Sequence, residues 1–445
     1  MKLKSTFAIT AMVAAGLTMF ATAANAQHQI LGDVDNLRPY DQTGINVFED
    51  PKDTATTFDG IKLRFGAGFT QTFQGLTHKN EANNLHKITP GFNTASANLF
   101  MDVQLYDGIR LNLTSYLSSR HHNETWVKGG YIQFDKLPFE GKLWEDIMKV
   151  TTIRVGHMEI NYGDQHFRRS DGGHTLYNPF AENYIMDAFT TEIGGEVLVR
   201  KYGFFGLAGA SNGMIKGNVD SLIATKADQN IRKSPAFYFK GGYDKQLNDL
   251  IRVRFAGSYY HNSSSGGQTL YSGDRTGSNY FMVVEKAGGT YAGNFASGRL
   301  NPGFSKTVKA LQLNGFVKVK GMEVFGTYEQ AQGRSKNEVD ERKARQYAID
   351  AVYRFGQKEN VFVGARYNKV RARLADIPAT ATTPAVSYDH DVNIDRMAFG
   401  AGWFLTKNIL LKGEYVTQDY KDFLTQDFRN NARFNGYVIQ AVVGF

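Results

Sequence analysis

Ile61-Lys62-Leu63-Arg64-Phe65-Gly66-Ala67-Gly68-Phe69 decides the architecture of this chain. Every odd residue is apolar and every even one is charged or glycine, the period-two signature of an extended strand with one apolar and one polar face. The same alternation returns at 95–106, 109–117, 251–259, 347–355, 361–367, 409–417 and 437–445. A soluble β-sandwich also alternates, so the connections have to separate the two. Tight Gly/Asn/Asp turns stand at 106–108, 201–203, 320–321 and 406–408. Between them lie long polar segments at 74–94, 161–191, 212–235, 262–307, 332–344, 371–392 and 419–435. Short turns at one end and long loops at the other mark a barrel that crosses an outer membrane.

Strand length and aromatic placement agree. The runs approach the ~9–11 residues that cross a bilayer with tilt, and Tyr106, Phe134, Tyr353, Phe355, Trp403, Phe404 and Phe445 fall near strand ends, where interfacial girdles sit. The expected fold is all-β: a transmembrane antiparallel β-barrel over 61–445, with short periplasmic turns and long extracellular loops. Its strands are expected at 61–73, 95–106, 109–118, 125–134, 151–160, 192–200, 203–211, 236–243, 250–261, 308–319, 322–331, 345–355, 361–370, 393–404, 408–418 and 436–445. That makes about 16 strands; placing 280–286 in the wall with a missed partner would make 18.

Composition closes off other classes. The 445 residues include no cysteine, which excludes a disulfide scaffold, a thiolate zinc site and a Cys-anchored lipoprotein. With 42% hydrophobic residues the chain can bury a core, so disorder is excluded. After the N-terminus no segment approaches the ~20 consecutive apolar residues of a membrane helix. Mean hydropathy is −0.37, as expected where apolar residues fill only the outer half of each strand. Met1-Lys2-Leu3-Lys4, an apolar run at 7–20 and Ala24-Asn25-Ala26 make 1–26 a cleaved signal peptide rather than an anchor. Its removal leaves 49 basic against 43 acidic residues. Residues 27–60 do not alternate, and the sequence leaves them either a periplasmic extension or a segment tucked into the lumen.

The leader, the terminal strand Gly436-Tyr437-Val438-Ile439-Gln440-Ala441-Val442-Val443-Gly444-Phe445 and the hairpin from Gly400-Ala401-Gly402-Trp403-Phe404 to Glu414-Tyr415 together resemble Gram-negative outer-membrane porins. Arg154-Val155-Gly156-His157-Met158 before a long loop is loosely similar to the phosphate-selective (O/P-type) porins, although their basic ladder is not plainly present. The resemblance implies residence in the cell outer membrane, a homo-trimer, contacts with outer-membrane lipid and lipopolysaccharide, and Phe445 as the signal read by the barrel-assembly machinery. It also implies a third external loop that folds inward and narrows the pore. The 161–191 loop is third in order, which makes Asp164, Arg168, Arg169, Asp171 and Glu182 the constriction candidates; an ordinary surface loop is the alternative.

A barrel of this size encloses an aqueous channel. With odd residues facing lipid, Lys62, Arg64, Arg110, Arg252, Arg254 and Arg366 face the lumen, joined by Arg154 and Arg200 if the less clear parity of their strands allows. Such cations favour a mild anion preference. Asp102, Glu196, Asp350 and Glu414 oppose it, and structural pairing with these cations is the alternative. The expected function is a passive diffusion channel for small hydrophilic solutes or anions, without cofactor. The alternatives are a substrate-specific gated transporter with 27–60 as plug and, third, an outer-membrane enzyme. No nucleophile elbow or phosphate loop occurs, so no catalytic or cofactor-binding residue is assigned. His121, His122, His166 and His174 lack metal-ligand spacing. Cations dispersed along strands, together with export, argue against nucleic acid.

Overall fold

The computed structural model describes residues 32, 34–53, 58–118, 120–121, 124–217, 221–379 and 385–445; the expected leader at 1–26 and His122 lie outside the described residues. The chain forms β1 (Lys62–Lys79), the two-residue β2 (Gly91–Phe92), β3 (Ser96–Tyr106), β4 (Ile109–Leu117), β5 (Trp126–Phe134), a short helix α1 (Lys142–Met148), β6 (Thr151–Glu159), β7 (Thr191–Lys201), β8 (Phe204–Ser211) and β9 (Ala236–Asn248). The second half continues with β10 (Ile251–Asn262), β11 (Thr307–Val319), β12 (Met322–Arg334), β13 (Arg342–Phe355), β14 (Val361–Ala372), β15 (Val392–Thr406), β16 (Ile409–Lys421) and β17 (Arg433–Gly444). Each strand pairs antiparallel with the next, and β1 closes the ring between β17 (through 68–79) and β3 (through 62–70). Only β2 stands outside that ring of 16, resting on β1 at Phe73 and Gln74.

Alternation sets inside and outside. Leu99, Leu113, Val197, Phe255, Leu313, Ile349, Phe399 and Ile439 are exposed on the outer wall, while Gln312, Gln346, Asn368, Gln418 and Gln440 are buried within. That inverts a soluble core and gives the wall of an outer-membrane barrel. Each expected span corresponds to a ring strand. Residues 280–286 lie in the 263–306 loop, and their one β-bridge is the isolated Leu85–Lys286 pair, so the larger strand count falls away. One short-end connection differs from the expected tight turns: 135–150 is long and carries α1, with Leu143, Trp144 and Ile147 facing outward.

Candidate functional site

Three segments occupy the lumen. The 160–190 loop leaves β6 and crosses to the far wall. There the Asp164 backbone N–H donates to Asn314 on β11 (2.8 Å), Ile185 N–H to Asn368 on β14 (2.6 Å), Met186 N–H to Gln346 on β13 (2.8 Å) and Ala181 N–H to Glu414 on β16 (2.9 Å). The Lys412 ammonium donates to the carbonyls of Thr175, Asn178 and Phe180 at 2.7–2.9 Å. Glycines let the loop lie against the wall. A Cβ on Gly68 would stand 2.6 Å from His174, and one on Gly173 would stand 2.3 Å from the Ala97 backbone.

Residues 34–53 enter from the short-turn end. Asp41 accepts from Thr43 N–H (2.8 Å) and caps a single 3-10 turn at Gln42–Gly44. Arg38 donates to the carbonyls of Gly44 (2.9 Å) and Phe167 (2.7 Å) and lies over the Tyr177 ring. Tyr40 stacks on Phe100 with ring centres 4.0 Å apart, in space that a side chain on Gly66 would fill. Phe48 joins Tyr184, Phe316, Phe325 and Ala348 in a small apolar cluster inside the barrel. The 263–306 loop covers the other end: Tyr271 donates to Glu329 (2.8 Å) and Phe281 N–H to Gln74 (2.9 Å).

Charge ties these segments together. Arg254 on β10 bonds Asp164 of the loop and Glu49 of the N-terminal segment, both at 2.8 Å, while Lys240 on β9 reaches Asp164 at 2.7 Å and Glu49 at 3.4 Å. Burial alone would raise both carboxyls; Lys240 and Arg254 outweigh it and hold them below the usual range. Arg168 is buried between Asn46 and Glu323 (3.4 Å to the carboxylate). Arg169 bonds Asp187 (2.6 Å) and Asp274 (3.4 Å). Glu182 accepts from Arg299 (2.7 Å) and from Ser278 (3.0 Å). Of the five constriction candidates, these four side chains therefore anchor the loop. Asp171 alone of the five borders the cavity along β3–β6.

The lumen-facing cations find carboxylates, mostly across strands. Arg64 stands opposite Asp102 (2.6 Å) and Arg366 opposite Asp350 (2.7 Å), in each case as register partners. Arg110 pairs with Asp135, Arg252 with Asp244 (2.8 Å) and Lys62 with Asp59 (2.8 Å). Arg154, held by Asp50 at 2.6 Å, and Arg200, donating to the Asp50 carbonyl, also point inward. Phe445 closes the ring at Ala67 through two backbone hydrogen bonds of 2.8 and 3.0 Å.

Along β3–β6 a cavity of about 240 Å3 remains between the 160–190 loop, the N-terminal segment and the wall. Thr114, Tyr131, Lys128, Arg154, Glu159 and Asp171 border it, with Tyr40 and Phe100 forming an aromatic side. At ~30 Å3 per water it has room for about eight waters, or one small solute. Lys128 reaches it through a β-bulge: Thr114 pairs with Gly129 and Ser115 with Val127, so Lys128 has no partner in the ladder and turns inward. Its ammonium lies between Asp171 and Asp274 (2.6 Å to the latter). Burial and the neighbouring Asp274 push the Asp171 carboxyl up to about 7. Burial pulls His174 down to about 4, so its ring is neutral at pH 7. Among the described residues no group of three His, Cys, Asp or Glu side chains is placed to hold a metal.

No family model and no curated protein matches the sequence. Among solved structures, the chain is similar to an anion-selective porin from Comamonas acidovorans, with a TM-score of 0.51 at 10% identity, over 87% of this chain and 100% of that one. It is also matched by OmpT, an outer membrane protein of Vibrio cholerae (TM-score 0.48, 10% identity, 87% and 99% covered), and by the outer membrane channel DcaP of Acinetobacter baumannii (TM-score 0.48, 11% identity, 88% and 99% covered). The likeness is one of fold: the barrel is built as outer-membrane porins are.

Proposed function

We propose that, with a porin barrel as its frame, this chain is a passive channel of the Gram-negative outer membrane that passes small hydrophilic solutes along its β3–β6 wall. The observation that carries the reading is the asymmetric lumen, filled against β10–β16 and open at the 240 Å3 cavity opposite. Transport down a gradient needs no cofactor and no covalent chemistry. Residues 1–26 act as the leader, 27–60 as a lumenal plug, Phe445 as the assembly signal, and the barrel associates as a trimer. Most inward cations are neutralised by their partners, so selectivity is mild. Arg38, bonded to carbonyls rather than a carboxylate side chain, supplies the lean toward anions.

Planar-bilayer recordings test this. The intact chain gives small single-channel steps, and deletion of residues 36–49 enlarges them while the barrel stays folded. Large ohmic currents from the intact chain, unchanged by the deletion, contradict a narrow path; no current at all, together with lipid hydrolysis, contradicts a channel. A second reading, a gated transporter that one solute opens, is favoured by the hold of Lys240 and Arg254 on Glu49. It predicts currents that rise when that solute is added.

A further inference from the structure

Residues 280–286 belong to the loop that covers the long-loop end of the lumen, and they are held in a conformation that their side chains resist. Tyr280, Phe281, Met282, Val283 and Val284 are all buried. The backbone angle φ is 57° at Met282 and 51° at Val284. That is the left-handed region, which a β-branched residue such as valine rarely enters. Such a conformation persists only where surrounding bonds impose it, and here side chains supply them. The Gln74 amide on β1 brackets Phe281, accepting from its N–H (2.9 Å) and donating to its carbonyl (3.0 Å). Met282 N–H donates to the Ser297 hydroxyl (3.0 Å), and Val284 N–H donates to Nδ1 of His78 (2.9 Å), near the outer end of β1.

The last two acceptors differ in kind. A hydroxyl oxygen accepts at any ordinary pH, whereas an imidazole nitrogen accepts only while it carries no proton. Because Nδ1 receives the Val284 N–H, the proton of neutral His78 is on Nε2, which donates to the His86 carbonyl (2.6 Å). A second proton leaves that bond in place but sets an Nδ1–H against the Val284 N–H, two donors with no acceptor between them. A buried N–H without a partner is costly, and the loss falls on a residue already strained.

Several charged and titratable groups lie on the elements around His78. β1 supplies Lys79, the 80–90 segment Glu81, His86 and Lys87, and the long loop Glu285 and Lys286. Beyond them stand Arg429, paired with Asp427 (2.7 Å), and Arg433 on β17, paired with Asp419 (3.3 Å). Burial pushes the Glu285 carboxyl up to about 7. Protonating it favours the buried position, so acid acting there tightens the segment, opposite to its action at His78.

We propose that His78 is an acid-released latch: neutral, it holds 280–286 down over the lumen, and protonated, it lets the segment lift. The same stretch is bonded onward, through the Tyr280 hydroxyl to Glu414 and through the Asn279 N–H to Glu182 of the 160–190 loop. Its release therefore loosens the cover and the inward loop together. The rise in solute flow that follows rests on the channel reading; the latch itself does not.

The test uses the full chain folded in detergent, with a thiol placed at the fully buried Val283. Its reaction rate with a methanethiosulfonate reagent is taken relative to Val339→Cys, an exposed position on another loop, at the same pH, which cancels the titration of the thiol itself. Passing from about pH 8 to about pH 5, the range in which imidazoles charge, raises the relative rate roughly tenfold, the scale of one buried hydrogen bond left unmade. His78→Asn, whose side-chain oxygen accepts from the Val284 N–H at either pH, keeps the rate low throughout, and His78→Ala keeps it high throughout. Glu285→Gln and His86→Gln retain the acid response. A response that survives in His78→Asn, or that Glu285→Gln or His86→Gln abolishes, overturns the latch. So does a Val283→Cys thiol that reacts equally slowly at both pH values. Bilayer currents read the consequence separately, and they rise in acid in the intact chain but not in His78→Asn. A thiol that responds to acid while no current flows at either pH keeps the latch and overturns the channel reading.

Discussion

The two sides of the lumen are built from the same alternating strands, yet they do opposite things. Against β10–β16 the 160–190 loop is bonded at almost every step to inward Asn, Gln, Glu, Lys and Arg side chains. Against β3–β6 the loop touches the wall at Gly173, beside Ala97, and at Asp171, on Lys128, and between such contacts Gly129, Gly130 and Thr114 leave a cavity. On the proposed function, one wall works as a clamp and the other as a conduit. A porin scaffold does not need a symmetric pore: inward amides decide where a loop adheres, and inward small residues decide where water stays.

Breaking the clamp should give the largest effect. Arg254→Met leaves Glu49 and Asp164 buried with Lys240 as their remaining close cation, and removing one partner of a buried pair costs about 3–5 kcal/mol. Urea unfolding in detergent should show that loss, together with noisier channels as the loop loosens. Arg64→Met, at the Arg64–Asp102 pair beside the conduit, should cost clearly less, because Asn112 (2.6 Å) and the Tyr40 hydroxyl (3.1 Å) still donate to the buried Asp102 carboxylate.

Blocking the conduit ranks next. Thr114→Trp fills the cavity from the wall and should cut single-channel conductance by about an order of magnitude without changing stability, since pore-lining bulk controls flux at a constriction. Arg168→Ala with Arg169→Ala should act differently. Neither side chain borders the cavity, so the expected result is a looser loop with fluctuating conductance, and only a small shift in reversal potential.

The smallest effect is a pH dependence. The Asp171 carboxyl, raised to about 7, faces Lys128, Asp274 and Arg169. Below that value it is neutral and the cavity leans toward anions; above it a negative charge appears and the lean weakens. Because the folded value lies above the ordinary one, its ionisation also removes stability as pH rises from about 4 through 7. Reversal potentials between pH 6 and 8 should drift toward cations in the intact chain and stay flat in Asp171→Asn. His174, neutral throughout that window, contributes nothing to the drift.

Much of the clamp was legible in the sequence, and little of the conduit was. Alternation within each strand specifies which residues share the inward face, even ones on β1, β10 and β14 and odd ones on β12, so cations such as Arg64, Arg254 and Arg366 could be assigned from the sequence. Their partners follow from register, which turn lengths fix. Lys128 escaped because a bulge interrupts the period at that residue, and a periodicity argument cannot register a position that the ladder skips. Residues 34–53 escaped for a different reason. They form one 3-10 turn and otherwise bond to distant side chains, so no local pattern marks their place. The 263–306 loop, read only as long and polar, carries Asp274 and Tyr271 into the lumen through contacts equally remote in sequence.

The central claim is that solutes travel along β3–β6. The chain contains no cysteine, so a single introduced thiol reports without background. A methanethiosulfonate reagent added during bilayer recording should block Thr114→Cys in steps and leave Thr327→Cys, buried on the β12 wall, conducting as before. Block of the β12 thiol with the β4 thiol untouched would place the path on the other side and contradict the account.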